Sequence, residues 1–84
     1  MDELKLLMDG IGWLGALSLL SAYLLVSNGK IEPKTFLYQG LNIFGSFCLI
    51  ANTYYYGTMS LVFLNSVWAL IGIAVLINKS RIKL

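Results

Sequence analysis

Charge is what this sequence lacks most. From Thr35 to Asn78, forty-four residues, there is no Asp, Glu, Lys, Arg or His. Histidine is missing throughout, so the usual zinc sites and general bases have no ligand or proton carrier. The single cysteine, Cys48, sits in an apolar segment, which excludes a disulfide framework within the chain and a thiolate metal cluster. The single proline, Pro33, leaves the long apolar stretches unbroken. Only 12% of residues are charged, about half the roughly 25% that a soluble domain carries. Net charge is +2 with no basic patch interleaved with aromatics, so no nucleic-acid partner is expected.

What is present is apolar: 58% of residues are hydrophobic and the mean hydropathy is +0.79. A span takes about 20 residues, so the uncharged run amounts to two spans. As one helix it would reach about 66 Å at 1.5 Å per residue, twice the hydrocarbon thickness of about 30 Å. It must therefore fold back, and Tyr56-Gly57-Thr58 supplies the turn. A further span precedes it, stopped by Asn28-Gly29-Lys30 and Pro33. The sequence thus predicts an all-α membrane protein, one domain over residues 1–84, with transmembrane helices over about 10–28, 35–55 and 58–78. Residues 4–8 either lie on the membrane surface or extend the first helix. The amino terminus, Met1-Asp2-Glu3-Leu4-Lys5, is acidic where a secretory signal is basic, so the first span is expected to remain in the mature protein.

Lys30 and Lys34 fall on the same side as Lys79, Arg81 and Lys83, whereas the other side holds Lys5 alone. Basic residues near span ends collect in the cytoplasm, which predicts a multi-pass protein of the cell (inner) membrane. Its N-terminus is expected outside and its C-terminus cytoplasmic. Trp13 and Tyr54-Tyr55-Tyr56 then share the outer interface.

Side-chain amides and hydroxyls interrupt the apolar run. At 100° per residue, Gln39, Asn42, Ser46 and Thr53 fall within an arc of about 60°, with Asn52 about 100° away towards Gly45. Asn65, Trp68 and Gly72 share an arc of the last span, and Gly15, Ser18 and Ala22 form a small-residue stripe on the first. Two readings fit. The amides bond helix to helix, each such bond being worth about 0.6 to 2 kcal/mol in lipid. Alternatively they line a pocket for a neutral polar solute, which uncharged donors and acceptors suit. No catalytic set is present: no intramembrane carboxylate, no base beside a serine, no phosphate-cradling glycine loop. No enzyme activity, catalytic residue, metal or cofactor is expected.

Ile11-Gly12-Trp13-Leu14-Gly15-Ala16, Tyr56-Gly57 and Ser60-Leu61-Val62-Phe63-Leu64-Asn65-Ser66-Val67 resemble the first helix and the turn into the third helix of SemiSWEET proteins. These are bacterial half-transporters of the SWEET/PQ-loop group. The chain departs from them in having Leu25-Val26 where they carry a Pro-Gln hinge, and no tryptophan near Asn52-Thr53; with its Tyr38-Gln39-x-x-Asn42 and Leu64-Asn65-x-x-Trp68 spacings it also looks similar to a related family of small bacterial membrane proteins of this architecture. The resemblance implies a parallel homodimer, a six-helix bundle with a central pocket, and Asn65 as a substrate contact. The expected site is Asn42, Asn65, Trp68 and Gln39, the amides bonding a small neutral polar solute and Trp68 forming an apolar wall. A second copy would cover these residues, and two-fold pairing is the commonest way to do so. The alternative is a membrane scaffold or accessory subunit in which the same amides only hold helices together. A holin-like pore is disfavoured because no charged, water-lining face exists.

Overall fold

The structure is a computed structural model that describes residues 2–33 and 35–83, with side chains described through residue 78. It contains three helices, α1 (Asp2–Ser27), α2 (Phe36–Tyr55) and α3 (Met59–Lys83). The first helix starts eight residues before the expected span, so residues 4–8 extend it. Asp2 and Glu3 in its first turn complement the exposed N–H groups and helix dipole there. The third helix runs past its span to Lys83. The molecule is 49 Å long and 23 by 18 Å across.

Both reversals use one device. Gly29 and Gly57 have φ of 75° and 77°, in the left-handed region that a side chain resists. After α1, Lys30 N–H donates to the Leu25 carbonyl (2.9 Å) and Gly29 N–H to that of Val26 (3.0 Å). After α2, Thr58 N–H donates to the Thr53 carbonyl (2.9 Å) and Gly57 N–H to that of Tyr54 (3.0 Å). Each pair is a Schellman motif that satisfies the last carbonyls of its helix. The Thr35 hydroxyl opens α2, accepting from Tyr38 N–H (3.1 Å) and donating to the Glu32 carbonyl (2.8 Å).

Packing is inside out. Among the described residues the buried hydrophobic ones are two alanines, Ala22 and Ala69, while Gln39, Ser46, Thr53 and Asn65 are buried polar residues. Leu6, Trp13, Phe63 and Leu70 point outward, each more than 60% exposed. A soluble chain that exposed so much contiguous apolar surface would aggregate, whereas lipid accepts it. Among the described residues two helices are long and apolar enough to cross a membrane: α1 over Asp2–Ser27 and α3 over Met59–Asn78. Only 17% of each apolar window is buried within the chain, unlike the core helix of a soluble protein. The middle helix has the length, at 20 residues, but its amides and hydroxyls dilute its hydropathy, and it is not among them.

The middle helix is nonetheless the centre of the fold. Both α1 and α3 pack on α2, and among the described residues no close approach joins α1 to α3. Gly15 and Gly45 make the first contact backbone to backbone: a Cβ on either would lie 2.8 Å from the other's carbonyl oxygen. Gly72 makes the second, with room only for the side chains of Gln39, Ile43 and Asn42. Of the basic residues that orient the chain, Lys34 and the side chains of Lys79, Arg81 and Lys83 lie outside the described residues.

Candidate functional site

With α1 and α3 apart on either side of α2, a groove runs between them. It is lined by Ala16, Leu19, Leu20 and Tyr23 of α1, Tyr38, Gln39, Asn42 and Leu49 of α2, Trp68 and Ile71 of α3, and Pro33 of the loop, and its volume is about 750 Å³. The lining is mostly apolar, with amides on its floor and aromatic rings on its walls. Three of the four expected site residues thus come together here: Gln39, Asn42 and Trp68. Trp68 is 44% exposed and forms part of the α3 wall.

Asn65 does not join them. It is 4% exposed and shares the inner face of α3 with Ala69 and Gly72, not the wall that carries Trp68. The shared arc of Asn65, Trp68 and Gly72 is therefore split: Asn65 and Gly72 turn towards α2 and Trp68 towards the opening. At 100° per residue Ala69 completes the inner face with them, a detail the arc had missed.

The floor amides are partly committed. Gln39 Nε2 donates to the Pro33 carbonyl (2.8 Å), tying the first loop to α2, and Gln39 Oε1 accepts from Asn42 Nδ2 at 3.4 Å. Thr53 Oγ1 donates to the Leu49 carbonyl of its own helix (2.7 Å), as hydroxyls do in apolar helices. Ser46, on the same face, is fully buried and its Oγ has no partner among the described residues. Three of the four polar residues in the predicted arc of α2 (Gln39, Ser46, Thr53) are buried, and Asn42 is half-buried at the groove.

The polar residue whose role pattern did not show is Asn52. Its Nδ2 donates to the Met8 carbonyl (2.8 Å), forty-four positions away in sequence. Beside it the Tyr56 hydroxyl donates to Asp9 Oδ1, and Lys5 Nζ pairs with Asp9 Oδ2 at 3.0 Å. The bond to the Asp9 carboxylate favours the protonated phenol and raises the Tyr56 pKa above its ordinary value. Asp9, which flanks the first span, is thus a junction and not simply solvated. These contacts also bring Trp13 and the tyrosine-rich turn to one end of the molecule, where Trp13, Asn52 and Tyr56 line a second, smaller cleft. Cys48 packs by its Cβ against Gly15, as a small apolar residue at a helix contact. Among the described residues no group of three or more His, Cys, Asp or Glu is placed to hold a metal ion.

A protein-family model matches residues 8–83, a range that takes in α2, α3 and most of α1. No curated protein and no solved structure matches the chain. The likeness to SemiSWEET proteins therefore has only the short motifs quoted above behind it.

Proposed function

The chain belongs to the family matched over residues 8–83, and we propose that it works as a half-transporter of the SemiSWEET kind. On this reading all three helices span the membrane, α2 included. Two copies pair with their grooves facing each other, and a small neutral polar solute passes between them. The observation that carries the reading is the groove itself: an opening of about 750 Å³ over the polar helix, with Gln39 and Asn42 on its floor and Trp68 on its wall. A lipid-facing groove with amides at its base would leave polar atoms in hydrocarbon, and a second copy removes that cost. Asn42 bonds the solute, Trp68 stacks against it, and Gln39, held to the first loop, guards one end. Asn65, on the inner face of α3 with Gly72, reaches the path in the alternate arrangement that transport requires. Among the described residues no charged side chain lines the groove, which suits a facilitator and not a proton-coupled carrier.

Uptake into liposomes by the purified protein tests this. A panel of small polyols, sugars and amides should include at least one that enters faster than in empty vesicles. Asn42→Leu and Trp68→Ala should each reduce uptake at least tenfold while the dimer persists by light scattering. Uptake unchanged in both variants rejects the site.

A second reading, a membrane scaffold without transport, is favoured by the bonds of Gln39 to Pro33 and of Asn52 to Met8. It predicts that no solute in the panel moves, and that Gln39→Leu loosens the first loop and lowers thermal stability.

A further inference from the structure

The smaller cleft lies between α1 and α2 at the end of the molecule away from the first loop, and has a volume of about 310 Å³. Its chemistry differs from that of the groove. The Asp9 carboxylate and Tyr56 stand at its mouth, Trp13 forms a wall, and Gly12, Ala16 and Leu49 continue it down the helices. Asn52 commits its Nδ2 to the Met8 carbonyl, which leaves Oδ1 as its free, accepting end. The cleft thus offers a carboxylate, an amide oxygen and two aromatic rings. Lys5, the cation at the rim, is 59% exposed and reaches Asp9 from outside.

That set selects a cation with N–H donors. A carboxylate beside aromatic rings attracts an ammonium through charge and through the ring quadrupole. Each Asp9 oxygen accepts one bond, from Tyr56 or from Lys5, and has a lone pair left for another. An anion is excluded by the carboxylate. A divalent metal would find one carboxylate and too few hard ligands. A quaternary ammonium has no N–H to give to Asp9 and Asn52.

Depth narrows the ligand further. Asp9 and Tyr56 are level with the turn that ends α2, beside an exposed Trp13, the place of an interfacial aromatic in a spanning helix. Below them the cleft becomes apolar. We propose that this cleft seats a phospholipid whose headgroup carries a primary ammonium, phosphatidylethanolamine by its chemistry. The ammonium binds Asp9 and Asn52 Oδ1, Lys5 swings out to the phosphate, and an acyl chain lies along Trp13, Ala16 and Leu49. The proposal rests on α1 being a membrane span, and not on transport.

Native mass spectrometry of the detergent-purified protein tests it. The probes are equimolar phosphatidylethanolamine, phosphatidylcholine and phosphatidylglycerol with identical acyl chains. The wild type should retain the ethanolamine lipid at least fivefold over the other two. Asp9→Asn, which keeps an oxygen for the Tyr56 hydroxyl, should erase that preference, and Trp13→Ala should reduce it severalfold. Trp68→Phe, in the other groove, should leave it unchanged. Equal retention of the three lipids by the wild type, or a preference that survives in both Asp9→Asn and Trp13→Ala, overturns the proposal. A carbonate wash of the source membranes separates the two failures. Protein that stays in the pellet without lipid preference sinks only the lipid site, and protein released to the supernatant sinks the spanning reading with it.

Discussion

The two seams of this molecule are built on opposite principles. Between α1 and α2 the contact is backbone on backbone through Gly15 and Gly45, and the polar bonds gather at one end, from Asn52 and Tyr56. Between α2 and α3 the contact is polar side chain against small residue, with Gln39 and Asn42 at Gly72. The Oγ of buried Ser46 has no bond among the described residues. Along the helices the first seam is closed by shape, and its polar groups, bonded ones and spare acceptors alike, stand only at one end. The second holds polar capacity in reserve, as expected of the seam that rearranges or receives a polar guest.

The largest test of this contrast is to break the shape-based seam. Gly45→Leu puts a branched side chain where a Cβ alone lies 2.8 Å from the Gly15 carbonyl and 2.9 Å from Leu19. Backbone cannot give way there, so a loss of about 3 kcal/mol or more is expected, read as loss of folded protein in a denaturant titration. Next in size is Asn52→Leu, which strips the Met8 carbonyl of its donor. About 1 to 2 kcal/mol should be lost. Hydrogen exchange should rise in the turns of α1 that follow Met8 while α3 is unaffected; equal change in both helices would show the seams to be coupled.

Ser46→Ala is the sharpest comparison, because it tests the unspent seam by subtraction. Removing a buried hydroxyl that has no partner should leave stability unchanged or raise it by up to about 1 kcal/mol. A clear loss would mean that Ser46 is bonded in the membrane, through water or a second copy. The smallest effect concerns pH. Donation to Asp9 raises the Tyr56 pKa, so the phenol stays protonated and the tether persists through the neutral range. The tether is lost as pH rises through that raised value. Ultraviolet titration should show one phenol ionising late, and Tyr56→Phe should remove that step.

Much of the architecture was legible from local chemistry. Gly29 and Gly57 marked both reversals because no other residue adopts their φ so cheaply. The arc of Gln39, Ser46 and Thr53 marked the inner face of α2 because 100° per residue places side chains without any knowledge of neighbours. What periodicity does not encode is the neighbour. Nothing local indicates that Asn52 reaches the Met8 carbonyl, since a backbone oxygen leaves no mark in a side-chain pattern. Trp68 and Asn65 lie three residues apart, about 60° around the helix. That offset is enough to put one in the groove and the other against α2, and only the packing of α3 decides which.

The position of α2 bears on how the protein is made. The helix on which both others rest is the one whose composition gives it least reason to leave the aqueous insertion channel. In the three-span reading, α1 partitions first, and α2 gains a glycine-matched surface as soon as it emerges beside it. Its amides still face an unfilled side until α3 has been synthesised and arrives. Insertion is then a two-step commitment in which the last helix to leave the ribosome secures the one before it. A chain ended at the Gly57 turn should accumulate as a half-inserted form that quality-control proteases remove.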